Sequence, residues 1–171
     1  MNIIIDKFKF NKYNVFFKNK TKNINIEKKY FYHIIYSNSL FVLNNITFIL
    51  DLNIKNTLIN INNKKYYFDI EDTNNKKNIE IFINIEQQIL SRISIKDKIP
   101  KYKIQNILSK GMIQINKENY YNSQEKINYN DNDNDNDNYY DNSNIKNLIL
   151  RISGICELEN EYCLLFNIMK K

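Results

Sequence analysis

The alternation of apolar and polar residues predicts a β-hairpin over residues 145–168, near the end of the sequence. The apolar positions of this hairpin share one face and are Leu148, Leu150, Ile152, Tyr162, Leu164, Phe166 and Ile168. Both strands keep these positions on the same side if Ile152 pairs with Phe166. Gly154 is then expected at a β-bulge, because one extra residue there turns Ile155 inward.

Earlier segments also have the composition or the alternation of β-strands. Residues 30–36 are aromatic and β-branched, and residues 46–54 alternate between apolar and polar side chains. Short apolar patches at residues 3–5 and 13–17 predict two more strands, and residues 112–115 predict another.

A second hairpin is predicted from residues 57–61 and 64–70. Its turn is placed at residues 62–63, because asparagine tolerates the positive φ that a tight hairpin turn requires. In this register Ile59 opposes Tyr66.

The spacing of apolar residues changes to three and four over residues 79–94, which predicts an amphipathic helix. Its apolar stripe consists of Ile79, Phe82, Ile83, Ile89, Leu90 and Ile93. The polar residues 72–78 before it are expected to form a loop. A short second helix is predicted over residues 102–110, with Gly111 as its C-terminal cap.

Residues 117–144 contain too few apolar side chains to fold and predict a disordered acidic insertion. Its core is an Asp-Asn repeat at residues 130–138, which resembles the start of a calcium-binding loop. An EF-hand loop also needs glycine at its sixth position and glutamate at its twelfth, where this chain has Asn136 and Asn142. The sequence therefore argues against an EF-hand.

The order of these elements predicts a mainly β domain of the β-rich α+β class. We expect a small OB-like β-barrel, closed or half-closed, with one main amphipathic helix and a short second helix. A β-sandwich, or an α+β sheet with its helices on one face, is the alternative. Residues 30–171 form the predicted domain, and residues 1–29 are an N-terminal extension whose folding onto the barrel the sequence leaves open.

The charge distribution suggests an anionic partner, with nucleic acid as the first candidate. The formal net charge is +6, and five aspartates lie in one segment without lysine or arginine: Asp131, Asp133, Asp135, Asp137 and Asp141. Without those five carboxylates the rest of the chain carries +11. The abundance of Asn, Ile, Lys and Tyr follows AT-rich codons, so lysine content alone is weak support for binding.

Two cysteines and one histidine exclude a self-contained zinc site, and no cofactor is indicated. The predicted hairpin places Cys156 opposite Cys163 on its outer face. Glu157 and Glu161 would raise the pKa of these thiols, so we expect two buried or half-buried cysteines without a redox role. His33 has no triad partner and is interpreted as a packed or surface residue.

No uninterrupted apolar stretch approaches the roughly 20 residues that a membrane-spanning helix needs. The apolar run at residues 3–5 is too short for a signal peptide. The sequence therefore predicts a soluble intracellular protein with reduced thiols and no membrane partner.

Basic and aromatic residues provide the candidate binding site. Single-stranded nucleic acid is held by stacking of its bases on aromatic rings, while lysine and arginine contact the phosphates. Lys65 and Tyr67 share an outward face of the second hairpin, Tyr102 and Lys103 begin the short helix, and Arg151 points outward from the terminal hairpin. These five residues are the predicted nucleic-acid-binding set. The alternative is that the lysines protect sheet edges and the tyrosines are half-buried strand residues.

Two stretches resemble short proteins of large nucleocytoplasmic DNA viruses. They are KIPKYKIQNILSKGMIQI at residues 98–115 and LILRISGICE at residues 148–157, the latter followed by EYCLLF at residues 161–166. The resemblance implies an OB-fold single-stranded DNA-binding protein that acts in DNA replication. It also implies a location in the cytoplasm or nucleus of the infected cell.

The sequence thus favours a non-enzymatic, single-stranded nucleic-acid-binding protein. The alternative is a virion-associated or regulatory protein-interaction module, acting as a homo-oligomer or with a viral protein partner. An enzyme is disfavoured, because one histidine and two glycines supply neither a triad nor a phosphate-binding loop.

Overall fold

The computed structural model describes residues 3–22, 30–59, 63–116, 139–141 and 147–171. The Asp-Asn repeat at 130–138 and most of the predicted insertion lie outside the described residues. Within the insertion, residues 139–141 form a strand that the sequence did not predict.

The fold is mainly β, with one long helix and one short helix, as predicted. Its strands are β1 (Val15–Phe17), β2 (Thr21–Lys22), β3 (Tyr30–Ser37), β4 (Val42–Leu43), β5 (Ile46–Asp51), β6 (Ile54–Ile59), β7 (Asn63–Phe68), β8 (Ile99–Lys101), β9 (Met112–Asn116), β10 (Tyr139–Asp141), β11 (Asn147–Glu157) and β12 (Glu161–Lys170). The helices are α1 (Thr73–Leu90) and α2 (Lys103–Leu108). None of the described helices is long and apolar enough to cross a membrane.

The larger sheet curls into a half-barrel around the terminal hairpin. β11 pairs with β12 on one edge, and on its other edge it pairs first with β5 and then with β3. The change of partner occurs at the β-bulge between Ile152 and Gly154, which increases local twist and bends the strand. The predicted pairing of Ile152 with Phe166 and the predicted bulge are both confirmed.

Cys156 opposes Cys163 as predicted, but the two thiols differ in burial. Cys156 is half-buried, whereas Cys163 is fully buried. Both agree with the prediction of buried or half-buried cysteines. Cys163 is the more buried of the two because β8, a strand that the sequence did not predict, pairs in parallel with the start of β12 and has Lys101 next to Cys163.

The second sheet has the order β10-β6-β7-β9. Its β6–β7 hairpin was predicted, but the register was wrong by two residues, since Ile59 opposes Lys64 and Thr57 opposes Tyr66. The reason is that Asn63 joins β7 and pairs with β9 instead of forming the turn. A shift of two residues keeps every side chain on its predicted face, so Tyr66 is still buried.

Helix α1 begins at Thr73, so the predicted loop at 72–78 is wrong. The Asp72 carboxylate caps the helix by accepting hydrogen bonds from the backbone N–H groups of Asn74 and Asn75, both at 3.0 Å. The Asn75 side chain is fully buried, and its amide N–H groups and oxygen are hydrogen-bonded to backbone groups. These hydrogen bonds replace those to water, so the polar side chain can be buried.

Helix α2 is held at its N-terminus by Glu86 of α1. The buried Glu86 carboxylate accepts from the backbone N–H groups of Ile104 and Gln105, both at 2.9 Å. Burial raises the pKa of Glu86 even though these hydrogen bonds oppose the shift. Helix α2 ends with Ser109 as its C-cap, two residues before the predicted cap Gly111. Gly111 has φ +65°, a conformation that favours glycine, in the turn that leads into β9.

The N-terminal segment packs onto the half-barrel. β1 pairs with β3, and both Ile5 and Val15 are buried. Between them, the ring of Phe10 lies 5.8 Å from those of Tyr36 and Phe48. The apolar residues Ile5, Phe10, Val15 and Phe17 of this segment therefore belong to the same core as the rest of the domain.

Candidate nucleic-acid interface

Lys65 and Tyr67 lie on the outward face of β7, where the alternation of the sequence placed them. Tyr67 is 36% exposed, and the intervening Tyr66 is fully buried. In the β7–β9 ladder, Lys65 opposes Gln114 and Tyr67 opposes Met112.

A cavity of about 320 Å³ lies beside these residues, between α2, β9 and β12. Its walls are formed by Ile107, Lys110, Met112, Ile113, Gln114, Phe166, Asn167 and Ile168. We call this cavity the β9–β12 cleft. Arg151 is exposed on β11 and opposes Asn167, one of the lining residues. Lys65, Tyr67 and Arg151 thus each lie one ladder position from the wall of the same cleft.

Tyr102 and Lys103 are not part of this arrangement. Tyr102 occupies the N-cap position of α2 and packs, half-buried, against the hydrophobic core. Lys103 is also half-buried, at the first position of the helix. Helix α2 instead contributes Lys110 to the cleft, just beyond the helix's C-terminal end. Lys110 was not among the predicted site residues, although its position three residues after Ile107 would place both on one side of a continuing helical turn.

The electrostatics of the β9–β12 cleft favour an anion. Lys65, Lys110 and Arg151 are cations, and neither Asp nor Glu occurs among the described lining residues or their strand partners. The walls between them are largely apolar, so the cleft suits a ligand with both an anionic and an apolar part.

A separate charged cluster at the hairpin end is structural. Glu157 is 5% exposed, and its carboxylate oxygens contact the Lys98 amino group at 3.0 Å and the Tyr32 hydroxyl at 3.1 Å. Burial alone would raise the pKa of Glu157, but the hydrogen bonds from Lys98 and Tyr32 outweigh it and hold the pKa below its ordinary value. Burial and the nearby carboxylate raise the pKa of Tyr32.

Within the described ranges, no group of three His, Cys, Asp or Glu side chains could hold a metal ion. Comparison of the chain with protein-family models, with curated proteins and with solved structures finds no match. The geometry of the chain itself is therefore the basis of the proposals below.

Proposed function

We propose that this protein binds single-stranded nucleic acid at the β9–β12 cleft and catalyses no reaction there. The observation that carries the proposal is that Lys110 lines the cleft and that Lys65, Arg151 and the exposed Tyr67 each pair with a lining residue, while, in the part of the chain that the structure describes, the lining residues and their strand partners include no carboxylate. The resemblance of residues 98–115, 148–157 and 161–166 to short DNA-virus proteins gives the same expectation and suggests viral DNA replication as the setting.

Binding would combine two physical contributions. Lys65, Lys110 and Arg151 attract phosphates, and each contact releases counterions, so affinity falls as salt rises. Tyr67 offers a ring on which a base can stack, a contribution that depends little on base identity. The protein should therefore prefer single strands over duplexes and show little sequence preference.

The proposal is tested with variants of the cleft in a fluorescence-anisotropy titration of a labelled single-stranded oligonucleotide. Tyr67→Ala should weaken binding roughly 5- to 150-fold, the range expected for one lost base–ring stack. Arg151→Ala should weaken binding and make the logarithmic salt slope shallower by about 0.7, the value for one phosphate contact on a single strand.

Lys55→Ala is the charge-matched control. Lys55 is exposed on β6 and ion-paired with Asp69 at 2.8 Å. The substitution therefore removes one positive charge from the protein, as Arg151→Ala does, but none from the cleft. If Tyr67→Ala and Arg151→Ala bind as tightly as Lys55→Ala and the wild type, the β9–β12 cleft is not the binding site.

A protein-interaction module is the second candidate function, and the β3–β4 connection favours it. Leu40 and Val42 are 85% and 66% exposed there, and a protein partner could bury these two apolar side chains. Sedimentation velocity of the wild type and of a Leu40→Lys, Val42→Lys variant tests it. A wild-type oligomer that the variant dissociates would support this function, whereas monomers in both would count against self-association.

A further inference from the structure

Two consecutive five-residue units in the N-terminal segment have the same design. Residues 5–9 begin with Ile5 and residues 10–14 begin with Phe10, and both side chains pack into the core. Each anchor is followed by Asp or Asn, then by lysine, then by an aromatic residue. Val15, which is 1% exposed, anchors the end of the second unit.

The second residue of each unit fixes the position of the aromatic residue. Asp6 Oδ1 accepts a hydrogen bond from the Phe8 backbone N–H at 3.0 Å, and Asn11 Oδ1 accepts one from the Tyr13 backbone N–H at 2.9 Å. Each contact caps a single turn of 3₁₀-helix, at Lys7–Lys9 and at Lys12–Asn14. The repeated cap holds both aromatic residues in the same local conformation.

Two cations lie near the ring of Phe8. The Lys7 amino group is 5.5 Å from the ring centroid, and the Lys77 amino group of α1 is 5.7 Å from it. Lys7 also donates a hydrogen bond to the Asn78 side chain, so it is tethered to α1. Lys77 is exposed and remains available to a ligand.

The ring of Tyr13 repeats this arrangement. The Lys12 amino group is 5.4 Å from its centroid, and the guanidinium carbon of Arg92, just after α1, is 5.6 Å from it. We call the two rings and their cations the aromatic strip, which consists of Lys7, Phe8, Lys12, Tyr13, Lys77 and Arg92.

Folding does not explain why these rings face solvent. Phe8 and Tyr13 are each 66% exposed, whereas the anchors of the same two units are buried or packed against the core. An exposed aromatic ring beside a cation is the arrangement that single-strand-binding proteins use to stack bases, because every base has a π-face and each nucleotide also brings a phosphate.

We propose that the aromatic strip is a second contact surface for single-stranded nucleic acid, in which Phe8 and Tyr13 stack on bases while Lys77 and Arg92 contact the flanking phosphates. The inference rests on the proposed function and adds a site away from the β9–β12 cleft. Five residues of backbone separate the Cα atoms of Phe8 and Tyr13 by at most about 18 Å, so one oligonucleotide can reach both side chains. The exposed Asp6 carboxylate disfavours a phosphate at its end of the strip, which leaves the α1 side for the nucleic-acid backbone.

Tryptophan fluorescence tests the strip directly, because the chain contains no tryptophan. Phe8→Trp and Tyr13→Trp each place a single reporter in the strip. Titration with a single-stranded oligonucleotide of about 16 nucleotides, the upper end of typical site sizes, should quench both reporters as bases stack on them. An abasic oligonucleotide of the same length supplies the phosphates without bases and should leave the emission of both reporters unchanged.

Phe16→Trp is the matched control in the same segment. Phe16 is 49% exposed on β1, and among the described residues no cation lies over its ring. Its reporter should not be quenched.

Affinity measurements complete the test. Phe8→Leu and Tyr13→Leu keep apolar side chains without a π-face, and each should weaken binding roughly 5- to 150-fold, whereas Tyr13→Phe should bind like the wild type. Unquenched reporters at positions 8 and 13 with wild-type affinity in both leucine variants would overturn the aromatic strip. If a Tyr67→Trp reporter is quenched in that case, the proposed function stands without the strip. A wild type that does not bind single strands overturns both.

Discussion

The half-barrel depends on a close approach of two strands at Gly154. A Cβ atom at this position would lie 2.2 Å from the carbonyl oxygen of Tyr32 and 2.6 Å from the ring of Phe31, whereas real Cβ atoms stay beyond 3.0 Å. Both the carbonyl oxygen and the ring belong to residues of β3, which pairs with β11 from Gly154 onwards. The substitution Gly154→Ala must therefore push β3 away by about 1 Å at the point where β11 changes partner.

The expected loss of stability in Gly154→Ala is large because the β3 backbone cannot easily move away from the new Cβ atom. Overpacking a core costs about 1–3 kcal/mol, and the closest atom here is backbone in a paired strand and not the end of a flexible side chain. We therefore expect Gly154→Ala to lower the free energy of unfolding by about 3 kcal/mol. For a domain of this size, that corresponds to a fall of about 6–12 °C in Tm.

Urea denaturation followed by far-ultraviolet circular dichroism measures this change, with Ser153→Ala as the control. Ser153 is the neighbouring residue in the bulge, and its hydroxyl makes one exposed hydrogen bond, at 3.2 Å, to the Leu165 carbonyl. Its loss should cost less than about 1 kcal/mol. A Gly154→Ala variant within about 0.5 kcal/mol of the wild type would refute the close-approach argument, since that is the range of neutral surface substitutions.

Three further predictions concern buried polar groups, each measured by urea denaturation. Asn75→Ala should cost about 2–4 kcal/mol, because the Asn75 side chain bonds the backbone N–H and C=O of Asn53 and the C=O of Asp69; a loss below about 1 kcal/mol would contradict this. Glu86→Ala should cost about 2 kcal/mol by leaving two α2 N–H groups without their acceptor, and Glu86→Gln, which keeps one acceptor oxygen, should cost less; equal losses would disprove the capping role. Because the folded-state pKa of Glu157 is lowered, its stabilising contribution should be present above the ordinary pKa of 4.5 and lost as the pH falls through the folded-state value. The loss of stability at acidic pH should therefore be smaller in Glu157→Gln than in the wild type. The same pH dependence of stability in both proteins would argue against this role of Glu157.

The terminal hairpin was predictable because its period-two pattern is strict and its one irregularity is a glycine. Moving the pairing of Ile152 and Phe166 by one residue would expose the apolar face, so burial alone determines the register. The glycine at position 154 then indicates where β11 has the one extra residue of the bulge.

Other elements depend on contacts that no local pattern contains. β8 includes Pro100, and a proline in the sequence argues against a strand. Because β8 lies at the edge of the sheet, the N–H that proline lacks is not needed for pairing with a further strand. The start of α1 is polar because Asn75 and Asn78 are buried through hydrogen bonds to distant or preceding backbone, which hydrophobic periodicity does not report.

The sequence could predict the exposure of some single residues of the candidate site, but not which of them lie close together. Alternation placed Lys65 and Tyr67 outward, but their proximity to Arg151 depends on β7, β9, β11 and β12 meeting around one cleft. Tyr102 was included because it is aromatic and near a lysine, whereas tertiary packing half-buries it. Phe8 and Tyr13 were missed because their segment has no regular period, although the recurrence of Asp or Asn, lysine and an aromatic residue five positions apart was visible.

One titration can decide whether the protein binds single-stranded nucleic acid through cations and exposed rings. Binding of a labelled single-stranded oligonucleotide to the wild type is measured by anisotropy over a salt series, with a duplex of the same sequence as the control. We expect tighter binding of the single strand than of the duplex, and a logarithmic salt slope of about −2 or steeper, since three cleft cations contribute about −0.7 each. An absence of binding at low salt, or an affinity that salt does not change, would contradict it.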